Sequence, residues 1–74
     1  MAKKTPSTYT VVELVGTSTK SWEDAARAAV ETASKTLRDL RIAEVVRLDL
    51  TIEDGKVAMY RARVHLSFKY HGDE

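Results

Sequence analysis

The 74-residue sequence predicts an α+β fold, a β-α-β-β chain in which a three-stranded antiparallel sheet wraps on one helix. Three observations carry that prediction. Apolar residues alternate with period two over the last third of the chain, they recur at helical spacing between Trp22 and Leu40, and Asp54-Gly55 separates two long alternating runs.

Tyr9 to Val15 reads as the first strand, because Val11, Val12, Leu14 and Val15 are strand formers. Gly16-Thr17-Ser18-Thr19 supplies turn chemistry that ends it. Ser21 is then a helix N-cap, with Asp24 three residues on completing an S-x-x-D capping box. Glu23 and Asp24 put negative charge in the first turn, where the helix dipole favours it. Trp22, Ala26, Ala29, Val30, Ala33, Leu37 and Leu40 form one apolar stripe on a helix from about Trp22 to about Asp39. Its alanines predict a close approach to whatever the helix covers.

Ala43 to Glu53 reads as the second strand, with Val46, Leu48, Leu50 and Ile52 on one face and Arg47, Asp49 and Thr51 on the other. Asp54-Gly55 is a hairpin turn, since both residues tolerate positive φ. Lys56 to Tyr70 is the third strand. Tyr60, Ala62, Val64, Leu66, Phe68 and Tyr70 face one way, and Arg61, Arg63, His65, Ser67 and Lys69 the other. That strand spans roughly 50 Å at about 3.3 Å per residue. A helix of about 18 residues covers only about 27 Å. An overhang is therefore expected, around Leu66, Phe68 and Tyr70, that another subunit must cover.

Size and composition point the same way. A chain of 74 residues forms a single domain, residues 1–74, with a flexible N-terminus at 1–7 and a flexible tail at 71–74. So short a chain buries only about 60% of its unfolded surface and is marginal on its own. There is no cysteine, so disulfides, thiolate zinc sites and thiol nucleophiles are excluded. His65 and His71 alone do not close a zinc site. An unusually well-packed small core, oligomerisation or a site for a hard ion such as calcium remain as routes to stability. Charged residues make up 31% of the chain, yet the net charge is only +1, which speaks against a dedicated nucleic-acid or membrane-surface protein. No signal peptide and no transmembrane stretch is recognisable, so a cytoplasmic location is expected.

Val15-Gly16-Thr17-Ser18, the short capped helix, and Ala43-Glu44-Val45-Val46 opening a long hairpin with Tyr60 in its third strand resemble the dodecin family over about Tyr9 to Tyr70. The resemblance implies a non-enzymatic β-α-β-β subunit of a hollow homododecamer that binds or sequesters a small ligand, in many members a flavin such as FMN or riboflavin. It marks Ile42, Glu44 and Arg61 as the ligand-site positions. Two of them depart from the flavin-binding pattern. Ile42 stands where flavin-binding members carry a stacking tryptophan, which removes a contact of about 1 kcal/mol beyond burial. Arg61 stands where they carry a glutamine, and a guanidinium has donors but no acceptor. Ser21-Trp22-Glu23, Asp54-Gly55-Lys56 and Ser67-Phe68-Lys69 resemble the calcium dodecin subgroup, which implies calcium as the alternative ligand, or a purely structural shell.

The remaining candidates are weighed residue by residue. Asp39 and Asp49 are the candidate metal ligands, with Glu13 and Glu44 further carboxylates of note, but no EF-hand spacing is present. Arg61, Arg63 and Lys69 share a strand face that either grips phosphates or pairs with Glu13, Glu44 and Asp49 on neighbouring strands. Trp22 reads as a core or interface anchor ahead of a displaced flavin plate. No Ser-His-Asp grouping, phosphate loop or H-E-x-x-H is present, so no enzyme activity is expected.

Overall fold

The computed structural model describes residues 8–69. The element order is β1 (Tyr9–Ser18), α1 (Trp22–Ala33), β2 (Leu40–Glu53) and β3 (Lys56–Lys69). The three strands form one antiparallel sheet in the order β1-β3-β2. This is the β-α-β-β arrangement that the alternation and the capping signals predict. The terminal segments expected to be flexible, 1–7 and 71–74, lie outside the described residues, as does Tyr70.

The predicted turn at Gly16-Thr17-Ser18 is instead the end of β1, paired with Ala62, Arg61 and Tyr60 of β3. Gly16 is there for close approach. A Cβ at this position would overlap the Ala25 carbonyl oxygen and stand 3.0 Å from the Ala29 Cβ, so only glycine lets the helix settle here. Ser18 is buried and ties the strand to the helix. Its hydroxyl donates to Asp24 Oδ2 at 2.7 Å and accepts from the Lys20 backbone N–H at 2.8 Å. Ser21 caps α1 as predicted, its side chain accepting from the Asp24 N–H at 3.0 Å.

α1 is shorter than its apolar stripe suggests, ending at Ala33 and not near Asp39. The Lys35 and Thr36 N–H groups donate to carbonyls three residues back, Thr32 and Ala33, which tightens the last turn. Thr32, Ser34 and Thr36 are weak helix formers. The chain must also reverse to begin β2 at Leu40, and Asp39 makes that reversal at φ 58°. β2 thus starts three residues before the predicted Ala43.

The core is a narrow seam. Ala25, Ala29 and Ala33 of α1 lie against Ala62, Val64 and Leu66 of β3, and Val12, Leu14, Val30, Leu37 and Leu40 pack around them. Ala25 belongs to this seam although the predicted stripe passed it by, and Trp22 stands at its margin, 37% exposed. Full burial of Val64 and Leu66 contributes about 1.5–3 kcal/mol each.

The apolar overhang exists, but at the other end of β3 from the one expected. Leu66 is only 1% exposed. The reason is topological. β1 pairs with Tyr60 to Lys69 and ends at Ser18, opposite Tyr60, so α1 starts there and runs back toward Leu66. Residues 56–59 of β3 and 51–53 of β2 pair only with each other, beyond the end of β1, and Leu50 stands at their base opposite Tyr60. Their two-residue turn, Asp54 at φ 52° and Gly55 at φ 75°, is the hairpin turn that the sequence predicts. Leu50, Ile52 and Val57 on this arm are exposed, and so are Val45 and Leu48 along β2, which α1 scarcely touches.

Candidate functional site

The two faces of the sheet differ in kind. One carries the seam and the helix; the other carries charge. On β3 the outer face is Arg61, Arg63, His65 and Ser67, alternating with the buried Ala62, Val64 and Leu66. Register places Glu13 and Glu44 on either side of His65, Thr17 and Asp49 on either side of Arg61, and Arg47 directly opposite Arg63.

A register shift between Val45 and Arg47 modifies the predicted alternation of β2. Two residues of β2 oppose one step of β3 there, which is a β-bulge. Val45, paired with Val64, turns toward the helix side with Leu48 and Leu50. Val46, assigned from alternation to the apolar face, instead lines an outer-face groove of about 400 Å³ with Glu13, Arg47, Arg63 and His65. One extra residue flips every side chain before it relative to those after it, and nothing in Val45-Val46 announces it.

Ion pairs organise this face. Arg61 grips Asp49 with two bonds, Nε to Oδ1 at 2.7 Å and Nη2 to Oδ2 at 3.0 Å. This fork geometry suits a guanidinium and a carboxylate. The hydrogen bonds from Arg61 hold the Asp49 carboxyl below the usual carboxylate range; desolvation opposes them, and the charges of Arg61, Arg63 and Arg47 add to the lowering. The Arg61 guanidinium is pushed up by its bonds to Asp49. Glu13 Oε2 accepts from Arg63 Nη1 at 3.3 Å and lies 3.5 Å from His65 Nε2.

The candidate site residues are thereby distributed, not clustered. Ile42, 62% exposed, and Glu44 sit on the outer face near one end of β2, opposite Ser67 and His65. Arg61 is four residues before His65, the partner of Glu44, on β3, roughly 13 Å at about 3.3 Å per residue. Asp39 precedes β2 and Asp49 lies ten residues beyond it, roughly 30 Å away by the same spacing. No group of three or more His, Asp or Glu side chains suited to a metal ion occurs among the described residues. The single chain therefore does not fit calcium with a complete set of ligands. Flavin fits no better in the family manner. The aliphatic Ile42 offers no plate, the Arg61 guanidinium is already engaged, and no buried polar side-chain atom among the described residues lacks a partner.

Trp22 is no substitute plate on this face. Its ring meets Tyr60 edge-on, centroids 5.3 Å apart at 83°, and its indole N–H donates to the Asp49 carbonyl at 3.1 Å. Trp22, Glu23 and Ala26 of α1 and Val45 and Leu48 of β2 line an open, mainly apolar groove of about 420 Å³ on the helix side.

Comparison with known proteins agrees with this architecture. A family model described as Dodecin matches residues 8–71. The calcium dodecin of Mycobacterium tuberculosis is 38% identical over 63 residues, covering 85% of this chain and 89% of its own. A crystal structure described as that calcium-chelating antigen, with a novel calcium-binding site, aligns with a TM-score of 0.79 over 92% of this chain and 97% of its own, at 38% identity. The dodecin of Thermus thermophilus is 41% identical over 61 residues, 82% of this chain and 88% of its own. The structure of dodecin from Streptomyces coelicolor aligns with a TM-score of 0.87 and 40% identity over 95% of this chain and all of its own.

Proposed function

This chain belongs to the dodecin family, and from that premise we propose that it is a non-enzymatic subunit of a hollow homododecamer that binds or sequesters a small ligand. The observation that carries the assembly is the uncovered apolar surface of β2 and the hairpin arm: Val45, Leu48, Leu50, Ile52 and Val57. A two-stranded arm is marginal by itself in water and needs a third layer. A neighbouring copy supplies it, and the groove beside Trp22 is part of the same surface. Mass spectrometry under native conditions tests this. Twelve chain masses are expected, and a stable monomer at micromolar concentration refutes the assembly.

For the ligand, flavin binding is expected to be weak. Ile42 cannot stack, and Arg61 must first give up Asp49 to reach a flavin edge. Titration of FMN with the assembled protein, read by flavin fluorescence, is expected to show little quenching; strong quenching at micromolar protein reverses this view.

Calcium is the second reading, favoured by one feature of the outer face. Glu44 is exposed and makes no ion pair among the described residues, so its carboxylate is available to oxygen-ligated cations where copies meet. Calorimetric titration of the chelator-treated assembly decides between a calcium-loaded and a purely structural shell. Heat of binding abolished by Glu44→Gln supports calcium at Glu44, and no heat leaves the structural shell.

A further inference from the structure

Arg47 and Arg63 are register partners on adjacent strands, with Arg47 on β2 and Arg63 on β3. Directly opposed side chains have Cβ atoms about 5 Å apart, and like charges in that position are destabilising. Elsewhere this face pairs its charges, Arg61 with Asp49 and Arg63 with Glu13. Arg47 has no ion pair among the described residues. The bulge that turns Val46 outward also opens the groove of about 400 Å³ over this spot, lined by Glu13, Val46, Arg47, Arg63 and His65. A sheet face that places two arginines at opposed register positions on one open groove, with Glu13 as the groove's single carboxylate among the described residues, is short of negative charge at that point.

We propose that this groove is an oxyanion site, in which Arg47 and Arg63 together bind a tetrahedral phosphate or sulfate group borne by a small molecule. Two planar forks borne by adjacent strands and lining one groove suit a tetrahedral oxyanion, since each presents two parallel N–H donors. His65 lies one alternation step from Arg63 and provides a further donor at the groove wall. Glu13 is the opposing group in the groove. Its carboxylate draws on Arg63 and His65 at 3.3 and 3.5 Å, so the anion seats toward Arg47 and competes with Glu13 for Arg63. Glu44 and Asp49 flank the site on either side of Arg47 along β2. Asp49 is engaged by Arg61, and Glu44 lies opposite His65. The field is felt beyond the groove, since Arg63 and Arg47 both help to lower the Asp49 carboxyl. The site is independent of whether flavin or calcium is the ligand proposed above, because Ile42, Glu44 and Arg61 are not among the residues that line it.

The test is calorimetric titration of the intact assembled protein with inorganic phosphate, with sulfate in parallel and chloride at matched ionic strength as the reference. Saturable binding of phosphate or sulfate above chloride is expected, and the stronger of the two identifies the group. Arg47→Gln should weaken binding about tenfold or more, the loss expected for a charge-assisted hydrogen-bonded contact. Arg47→Lys keeps the charge without the fork and should recover only part of that loss. Glu13→Gln should tighten binding. Arg27→Gln makes the same change of net charge on the helix and should leave affinity within about twofold. Absence of saturable binding above chloride overturns the proposal. So does an Arg27→Gln effect as large as that of Arg47→Gln, or unchanged affinity in an Arg47→Gln protein that keeps its assembly and melting temperature.

Discussion

The half of the sheet beneath α1 and the half beyond it are built from similar residues but live in different surroundings. Under the helix, Ala62, Val64 and Leu66 are closed off by an alanine row that Gly16 admits to near backbone contact. Along β2 and the hairpin arm, Leu48, Leu50 and Ile52 alternate just as faithfully, and with Val45 and Val57 they stay exposed. Periodicity is the same in both, so it reports which way a side chain points and not whether anything lies on top of it. What separates the halves is where β1 ends, because the helix begins there and runs only one way.

The sharpest way to break the contrast is to damage the covered half. Gly16→Ala forces the helix off its seat by its Ala25 carbonyl, and Leu66→Ala opens a cavity at the end of the seam. Each should cost about 3 kcal/mol, read as a lower denaturant midpoint. A change below about 1 kcal/mol in both would mean that the seam is not what holds the subunit together.

Leu48→Glu probes the uncovered half. Within one chain the leucine is already 47% exposed, so the subunit fold should survive while assembly fails. Sedimentation should show loss of the large species with strand and helix circular dichroism retained. For the unaltered protein, the melting temperature should rise with protein concentration, as it does wherever association stabilises the fold. A Leu48→Glu protein of unchanged mass would remove β2 from the interface.

At the junction between the halves, Ser18→Ala removes the hydroxyl that links Asp24 to the backbone leading into α1. A loss of about 1–2 kcal/mol in chemical denaturation is expected, comparable with deleting a buried hydrogen bond. Ser18→Thr should restore part of it.

The smallest effect is on the charged face, and it depends on pH. The folded-state pKa of Asp49 is lowered, chiefly by the bonds from Arg61. The stability contributed by this pair is therefore full above the unfolded value, near 3.8, and is lost as pH falls through the lower folded value. Asp49→Asn should flatten that part of the acid limb of melting temperature against pH, because it removes at neutral pH the small contribution that the unaltered protein loses only in acid. An unchanged acid limb would show that the fork contributes nothing.

The charged face was largely readable in advance. Alternation places Arg61, Arg63 and His65 together on β3, and pairing with Glu13, Glu44 and Asp49 is one of the two uses expected of that face; the structure gives Asp49 to Arg61 and Glu13 to Arg63. Three features were not readable. The bulge at Val45-Val46 has no residue signature, so Val46 was placed on the wrong face and the groove beside Arg47 went unseen. Gly16 reads as a turn because glycine serves turns and close contacts equally well, and only the helix above it distinguishes them. The Ile42, Glu44 and Arg61 set came from family resemblance, and the register of β2 on β3 spreads those positions along the sheet of a single chain.

By itself the sequence determined the order of the elements, the hairpin turn at Asp54-Gly55, the cap at Ser21 and the division of β3 into an apolar and a charged face. All of these are local: each depends on residues within a turn or on the period of one strand. Tertiary structure alone decided which end of the long hairpin stays uncovered and which carboxylate meets which arginine. Those outcomes depend on register between strands far apart in the chain, and register is set by the sum of all cross-strand contacts and not by any one segment.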